Sequence, residues 1–170
     1  DSAPVALAFN PDGTKMFMVG AANDKVNEYT LSTGFDISTA SYVDGFSISS
    51  DFAPYGLVFN PDGTKMFLMD AYDDDIHEYT LSTGFDVSTA SVSGSFVQTK
   101  DTSPVGLSFN PDGTKMFITG TGSNSIHEFA LTTPYSLVDV SGEHSGDVID
   151  TNSTTNYDTD VDVETLTVTA

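Results

Sequence analysis

Four acidic side chains alternate with neutral ones near the end of the chain: Asp158, Asp160, Asp162 and Glu164, separated by Thr159, Val161 and Val163. In an extended strand, side chains two apart share a face, so this spacing sets four carboxylates in one row. Such a row repels itself unless a counter-ion sits within it. Calcium takes roughly six to eight oxygens, several of them from carboxylates. The row therefore reads as a calcium site, or else as the solvated face of an edge strand. A second acidic cluster, Asp70, Asp73, Asp74 and Asp75, falls in a turn, with Asp73 and Asp75 as secondary candidate ligands. Calcium is the one cofactor to which the residues point.

A catalytic site is harder to assemble. With no cysteine and no arginine, thiol nucleophiles and arginine clamps are excluded. The histidines are His77, His127 and His144. His77 and His127 are each preceded by Ile and followed by Glu, and Asn27 holds the same place earlier in the chain. A residue repeated in place is more often structural than catalytic. No Ser-His-Asp order and no His-Glu-x-x-His spacing occurs. No catalytic residue and no organic cofactor site is assigned, and a non-enzyme is expected.

Charge narrows the partners. The chain carries 25 acidic residues against five lysines, a formal net charge of -20. Nucleic acid is excluded as a partner because almost nothing would neutralise its phosphates. Anionic lipid surfaces are disfavoured for the same reason, and no apolar run reaches the length of a membrane span. The absence of cysteine leaves redox compartment unread.

The elements that must position these residues come from a repeat. The run Phe9-Asn-Pro-Asp-Gly-Thr-Lys-Met-Phe17 returns unchanged from Phe59 and again from Phe109, a period of 50 residues. Pro11 presets the dihedral of a type I turn, Asn10 bonds back onto it, and Gly13 takes the left-handed position of a bulged hairpin. Apolar runs flank the turn, so each copy is a β-hairpin. Lys15, Lys65 and Lys115 share one repeat position just after it.

Each repeat reads as four short strands. In the first they span 5–9, 15–19, 26–31 and 41–49, the second nearly all apolar and the fourth more polar, as an outer edge would be. Tyr29, Tyr79 and Phe129 repeat in place, as do Phe35, Phe85 and Tyr135, either as a core between repeats or as a platform for stacking sugars. Helix signals are absent. Four antiparallel strands per repeat of this length make the blade of a β-propeller. The predicted class is all-β: three four-stranded blades (1–50, 51–100 and 101–140), then a short β segment over 141–170.

The "F-N-P-D-G-T-K-M-F" hairpin resembles the first hairpin of bacterial lactonase-like and WD40-like propeller repeats. The longer run "N-E-Y-T-L-S-T-G-F-D-I-S-T-A-S" at 27–41 resembles repeats of large bacterial surface proteins and marine phage structural proteins. The Trp-Asp ending of WD40 blades is missing, since the chain has no tryptophan. Residues 145–150 and 157–168 resemble the opening of a cadherin-like or VCBS-type adhesin domain, an immunoglobulin-like sandwich. That likeness implies calcium held by aspartates between domains. The resemblance to lactonase-like propellers implies a metal held at the central opening, but its ligands match no position here.

Three blades do not close a ring of the usual roughly four to eight. Because the chain opens at Asp1 where a repeat opens, and stops within a strand-like run, a piece of a longer polypeptide is expected. Bare blade faces would be covered by further blades, by a second chain completing a ring, or by head-to-tail stacking. The expected function is a non-catalytic structural, assembly or adhesion module of an extracellular, cell-surface or virion protein. Its partners would be itself, other blades, a glycan or a surface protein. The alternatives are part of a lactonase-like or glycan-hydrolysing propeller enzyme, or a carbohydrate-binding propeller.

Overall fold

The computed structural model describes residues 3–22, 24–48, 53–99, 101–138 and 140–147, with 141–147 given as backbone. These residues form three four-stranded antiparallel sheets and no α-helix. The first blade contains β1 (Pro4–Phe9), β2 (Lys15–Gly20), β3 (Lys25–Leu31) and β4 (Ala40–Ser47). The second contains β5 (Pro54–Phe59), β6 (Lys65–Asp70), β7 (Asp75–Leu81) and β8 (Ala90–Val97). The third contains β9 (Pro104–Phe109), β10 (Lys115–Gly120), β11 (Ser125–Leu131) and β12 (Val140–Asp147). Strands pair in chain order within each sheet, and a bulge interrupts the pairing of the third strand with the fourth.

The third blade extends beyond the boundary expected at 140, because its fourth strand runs to Asp147. The Ser- and Gly-rich stretch after 140 reads as a linker. It is a polar outer strand, like ASYVDGFS and ASVSGSFV in the other blades. The remainder of the expected adhesin-like segment, 148–170, lies outside the described residues.

The repeated hairpin closes by its own side chains. Asn10 Oδ1 accepts from the Lys15 amide at 2.9 Å, and Asp12 Oδ1 accepts from the Thr14 amide and hydroxyl at 2.9 and 2.6 Å. Those Thr14 bonds hold the Asp12 carboxyl below its ordinary value. Gly13 sits at φ 72°, which only glycine adopts without strain. Asn60 and Asn110 make the same amide bonds.

The Ser-Thr-Gly-Phe loop then folds back onto this turn. The Phe35 amide donates to the Gly13 carbonyl at 3.0 Å, and the Phe35 ring fills the space where a Cβ on Gly13 would stand. To do so Phe35 takes φ 60°, as do Phe85 at 57° and Tyr135 at 53°. Bulky residues rarely occupy this region, so the surrounding contacts must enforce it. The third repeat, whose loop is Thr132-Thr-Pro-Tyr-Ser136, keeps the same bond: the Tyr135 amide donates to Gly113 at 2.9 Å. Asp36 and Asp86 then cap a single 3-10 turn through Ser38 and Ser88, leading into the fourth strand.

The cores lie between blades. One joins Phe17, Val19 and Val26 of the first blade to Leu57, Met66, Leu68, Tyr79 and Val87 of the second. The other joins Phe67, Met69 and Ile76 to Met116, Ile118, Phe129 and Leu137 of the third. Each blade thus has one face for its predecessor and one for its successor. Only the second has both covered, and from Met66 to Asp70 its β6 is fully buried. Phe46 meets Tyr79 and Phe96 meets Phe129 edge-on, which makes these repeated aromatics seam core and not sugar platforms. In the first blade Tyr29 packs on its own Tyr42. The first strands lie side by side, β1 by β5 and β5 by β9.

Replacing Gly63 with alanine should destabilise the protein by more than about 1 kcal/mol, because φ is 72° and the Phe85 ring already occupies the Cβ space. A urea titration of Gly63→Ala against wild type measures it. Gly94, with open space around its Cβ position, serves as the control and should tolerate alanine.

Candidate functional site

Among the described residues, a polar joint connects each blade to the next. Lys15 Nζ pairs with Glu28 Oε1 at 2.7 Å within the first sheet, because β2 and β3 set Lys15 and Glu28 near each other across the ladder. The same ammonium donates to the Phe85 carbonyl of the next blade at 2.6 Å. The other oxygen of Glu28 accepts from the Val87 amide at 3.0 Å. One ion pair therefore grips a carbonyl and an amide two residues apart on the neighbouring loop.

The second joint repeats the first. Lys65 pairs with Glu78 at 2.8 Å and donates to the Tyr135 carbonyl at 2.7 Å, and Glu78 accepts from the Leu137 amide at 2.8 Å. Glu28 and Glu78 are each only 3% exposed in their side chains. A carboxylate that deep is tolerated because both of its oxygens have partners. The positive φ of Phe85 and Tyr135 belongs to the same device, in a loop whose carbonyl meets the lysine while the aromatic ring caps the turn. The aligned lysines signalled this joint in the sequence; the glutamates at 28, 78 and 128 complete it.

A second polar feature ties the start of the second and third blades to their β2–β3-type turns. In the third blade Asp101 Oδ1 accepts from the amides of Ser103 and Gly122 at 2.8 and 3.0 Å. In the second blade Asp70 Oδ1 accepts from Ala53 and Tyr72, the equivalent amides, both at 2.9 Å. The same job is done from two different sequence positions. Gly120 stands where Asp70 would, and a Cβ there would collide with the Asp101 carboxylate. Burial pushes the Asp101 carboxyl up, but bonds from Ser123, Ser103 and Gly122 outweigh it and hold it below its ordinary value.

Asp101 also brings together three residue types that, in another order, hydrolyse esters. Ser123 Oγ bonds to Asp101 Oδ2 and lies 3.1 Å from His127 Nε2. In a hydrolytic triad the carboxylate orients the histidine through Nδ1, and the histidine takes the serine proton. Here the serine bonds to the carboxylate itself, and the buried His127 Nδ1 meets no acceptor. The arrangement fastens a turn. Sequence reading missed it, because the aspartate opens the repeat and the serine sits in a turn of variable composition.

The remaining expected site residues are separate. His77 lies on β7 near Asp75, Asp70 and Asp73, whereas His127 contacts Ser123 and Asp101, so the two histidines do not share a site. Asp73 and Asp75 lie at the β6–β7 turn, where burial raises the Asp75 carboxyl above its ordinary value. Among the described residues, no three His, Asp or Glu side chains are grouped so as to hold a metal ion. The principal calcium candidates, Asp158, Asp160, Asp162 and Glu164, lie outside the described residues. The side chain of His144 is likewise not described.

The geometry defines a β-propeller-type chain, and comparison with solved structures agrees. A Bacteroides fragilis protein provisionally assigned as a 6-phosphogluconolactonase superposes with a TM-score of 0.65 at 16% identity, over 85% of this chain and 39% of its own. The periplasmic gluconolactonase of Pseudomonas aeruginosa gives 0.61 at 18% identity, over 85% and 40%. The Cps50 β-propeller domain of Myceliophteria thermophila gives 0.57 at 10% identity, over 76% and 40%. The chain thus spans about two fifths of the length of these proteins, and at such identity the likeness is one of fold. No family model and no curated protein matches the sequence. No helix among the described residues is long and apolar enough to cross a membrane.

Two outcomes follow from these contacts. In dilute single chains, Lys65→Met leaves Glu78 buried without its counter-charge and should cost about 3–5 kcal/mol. Lys115→Met should cost less than about 1 kcal/mol, since Lys115 and Glu128 are 48% and 27% exposed. Chemical denaturation of the two variants side by side measures the difference.

Burial holds the His77 imidazole below its ordinary 6.5, against the pull of Asp75, Asp70 and Asp73. The neutral ring is thus the folded form. As pH falls below about 6.5, the unfolded chain takes up a proton that the fold resists, and stability drops. The raised Asp75 works with the opposite sign at lower pH, gaining stability as it is protonated. His77→Asn, the residue the first blade uses as Asn27, should flatten the fall below pH 6.5 in a pH series of thermal melts.

Proposed function

We propose that this chain is a non-catalytic propeller module whose work is assembly or adhesion within an extracellular, cell-surface or virion protein. The observation that carries the reading is the use made of its polar residues. The lysine–glutamate pairs, the turn-capping aspartates and the repeated aromatics all serve to join or close blades. The inner strands PVALAF, PYGLVF and PVGLSF offer a ligand only two polar side chains, the exposed Tyr55 and Ser108. Calcium at Asp158, Asp160, Asp162 and Glu164 would suit such a module, stiffening whatever follows the blades.

A second reading has its own support. The fold likeness includes a gluconolactonase, so lactone hydrolysis is the enzymatic alternative. It requires a richer set of polar groups at the inner strands than the Tyr55 and Ser108 hydroxyls. Incubating the full chain with gluconolactone, with and without added divalent metal, decides between the two. The expected result is hydrolysis no faster than buffer alone, unchanged by Ser108→Ala. Turnover that rises with protein concentration and falls on Ser108→Ala would overturn the assembly reading.

A further inference from the structure

The joint between blades forms twice inside the chain, and each end of the chain carries one half of it unused. At one end Lys115 and Glu128 pair at 2.6 Å, in the same geometry as the two internal pairs. Their side chains are 48% and 27% exposed, against 28% and 3% for Lys15 and Glu28. At the other end stands the loop that such a pair grips. Phe35 already has the φ of 60° seen in Phe85 and Tyr135, and Asp36 already caps the turn that follows. Yet Phe35 is 60% and Ile37 67% exposed, where Val87 and Leu137 are 0% and 4%. Both halves are preformed, and the apolar surface around each is bare.

We propose that these halves meet between two copies of this chain. Lys115 donates to the Phe35 carbonyl of the second copy, and Glu128 accepts from its Ile37 amide. The proposal rests on the assembly reading above. A second copy fits because it presents the very loop that the pair already binds in cis, differing from residues 82–87 only in Ile37 for Val87. The contact also satisfies charge: the ammonium meets a carbonyl dipole and the carboxylate an amide. In a closed pair each copy uses both ends at once, so two joints form together and no bare face remains. Three blades from each copy would make a ring of about six, within the roughly four to eight that propellers use. Leu7, 62% exposed on the leading face, and Ile126, 39% exposed on the trailing one, would be covered in the same step.

The test is the native mass of the full chain by sedimentation and light scattering across a concentration series, for wild type and three variants. Wild type should have the mass of two chains. Lys115→Glu and Ile37→Asp should each weaken association roughly 100-fold, the scale expected for removing one partner of a buried charged contact. Lys25→Glu, a lysine in neither half, should leave it unchanged. Single chains at every concentration would overturn the proposal and leave covering blades to a longer polypeptide. Open polymers, or a dimer indifferent to both substitutions, would overturn it equally. The lactone assay is independent of this series. A dimer that hydrolyses lactone would fail the assembly reading and keep the interface, and an inert monomer would do the reverse.

Discussion

Everything in the arrangement of blades depends on a carboxylate kept out of water. Glu28 and Glu78 lie almost wholly buried where two sheets meet. A charge in that position is costly, and the cost is offset only when its lysine and the next blade's amide are both in place. Hydrophobic contact alone would let two sheets slide across each other, because apolar packing has no direction. The lysine and glutamate fix the slide: one carbonyl and one amide, two residues apart, fit them in a single register. What the pair supplies to these blades is register more than net stability, since apolar replacements of buried pairs are often no less stable. The left-handed backbone at Phe85 and Tyr135, shared by Phe35 and set by the bond each makes to its own turn, holds the carbonyl where the lysine meets it.

That dependence explains why the turn is invariant, and why the distant loop keeps an aromatic residue at positive φ at 35, 85 and 135 even where its other residues change. Residues 10–15 of each repeat set the lysine, and residues 32–37 set its target in the following blade. Between them the β2–β3-type turns differ freely: Ala-Ala-Asn-Asp, Ala-Tyr-Asp-Asp and Thr-Gly-Ser-Asn. The requirement there is only that two amides find a carboxylate. Asp70 meets it from the end of β6, and Asp101 meets it from the start of its blade, with Gly120 making room. A function shared by the second and third blades but met from two positions leaves no fixed sequence mark.

The same distinction separates what could be read in the sequence from what could not. The hairpin was legible because its chemistry is local: Asn10, Pro11, Asp12 and Gly13 fold a turn with their own side chains. The strands were legible because alternation and turn residues bound them within a residue or two. The buried second strand was legible too, though only β6 has both faces covered. The joint was half legible. Three lysines in one position announced a role, but its partners lie 13 residues on in the same sheet and 70 residues on in the next blade. A one-dimensional pattern does not show which loop a side chain will reach. The Ser-rich fourth strand of the third blade was misjudged as linker because an exposed edge strand and a linker share a composition. The Asp101–Ser123–His127 cluster was invisible for the reason given above, its members being drawn from a strand, a turn and the blade's first residue.

The chemistry available to these blades follows from where their polar groups are committed. A hydrolytic site needs an activated nucleophile or a metal-bound water, with a base free to take a proton. In the described blades Ser123, 3.1 Å from His127, donates to a carboxylate, and that histidine has no carboxylate at Nδ1. Lys15 and Lys65 are committed to ion pairs across the joints, so their amines serve neither as nucleophiles nor as bases. Lys115 is the one lysine of the three whose neighbouring loop is missing, and its glutamate is the one of the three that water reaches most. Lys115, Glu128 and the loop at 35–37 keep the geometry of a joint while remaining exposed.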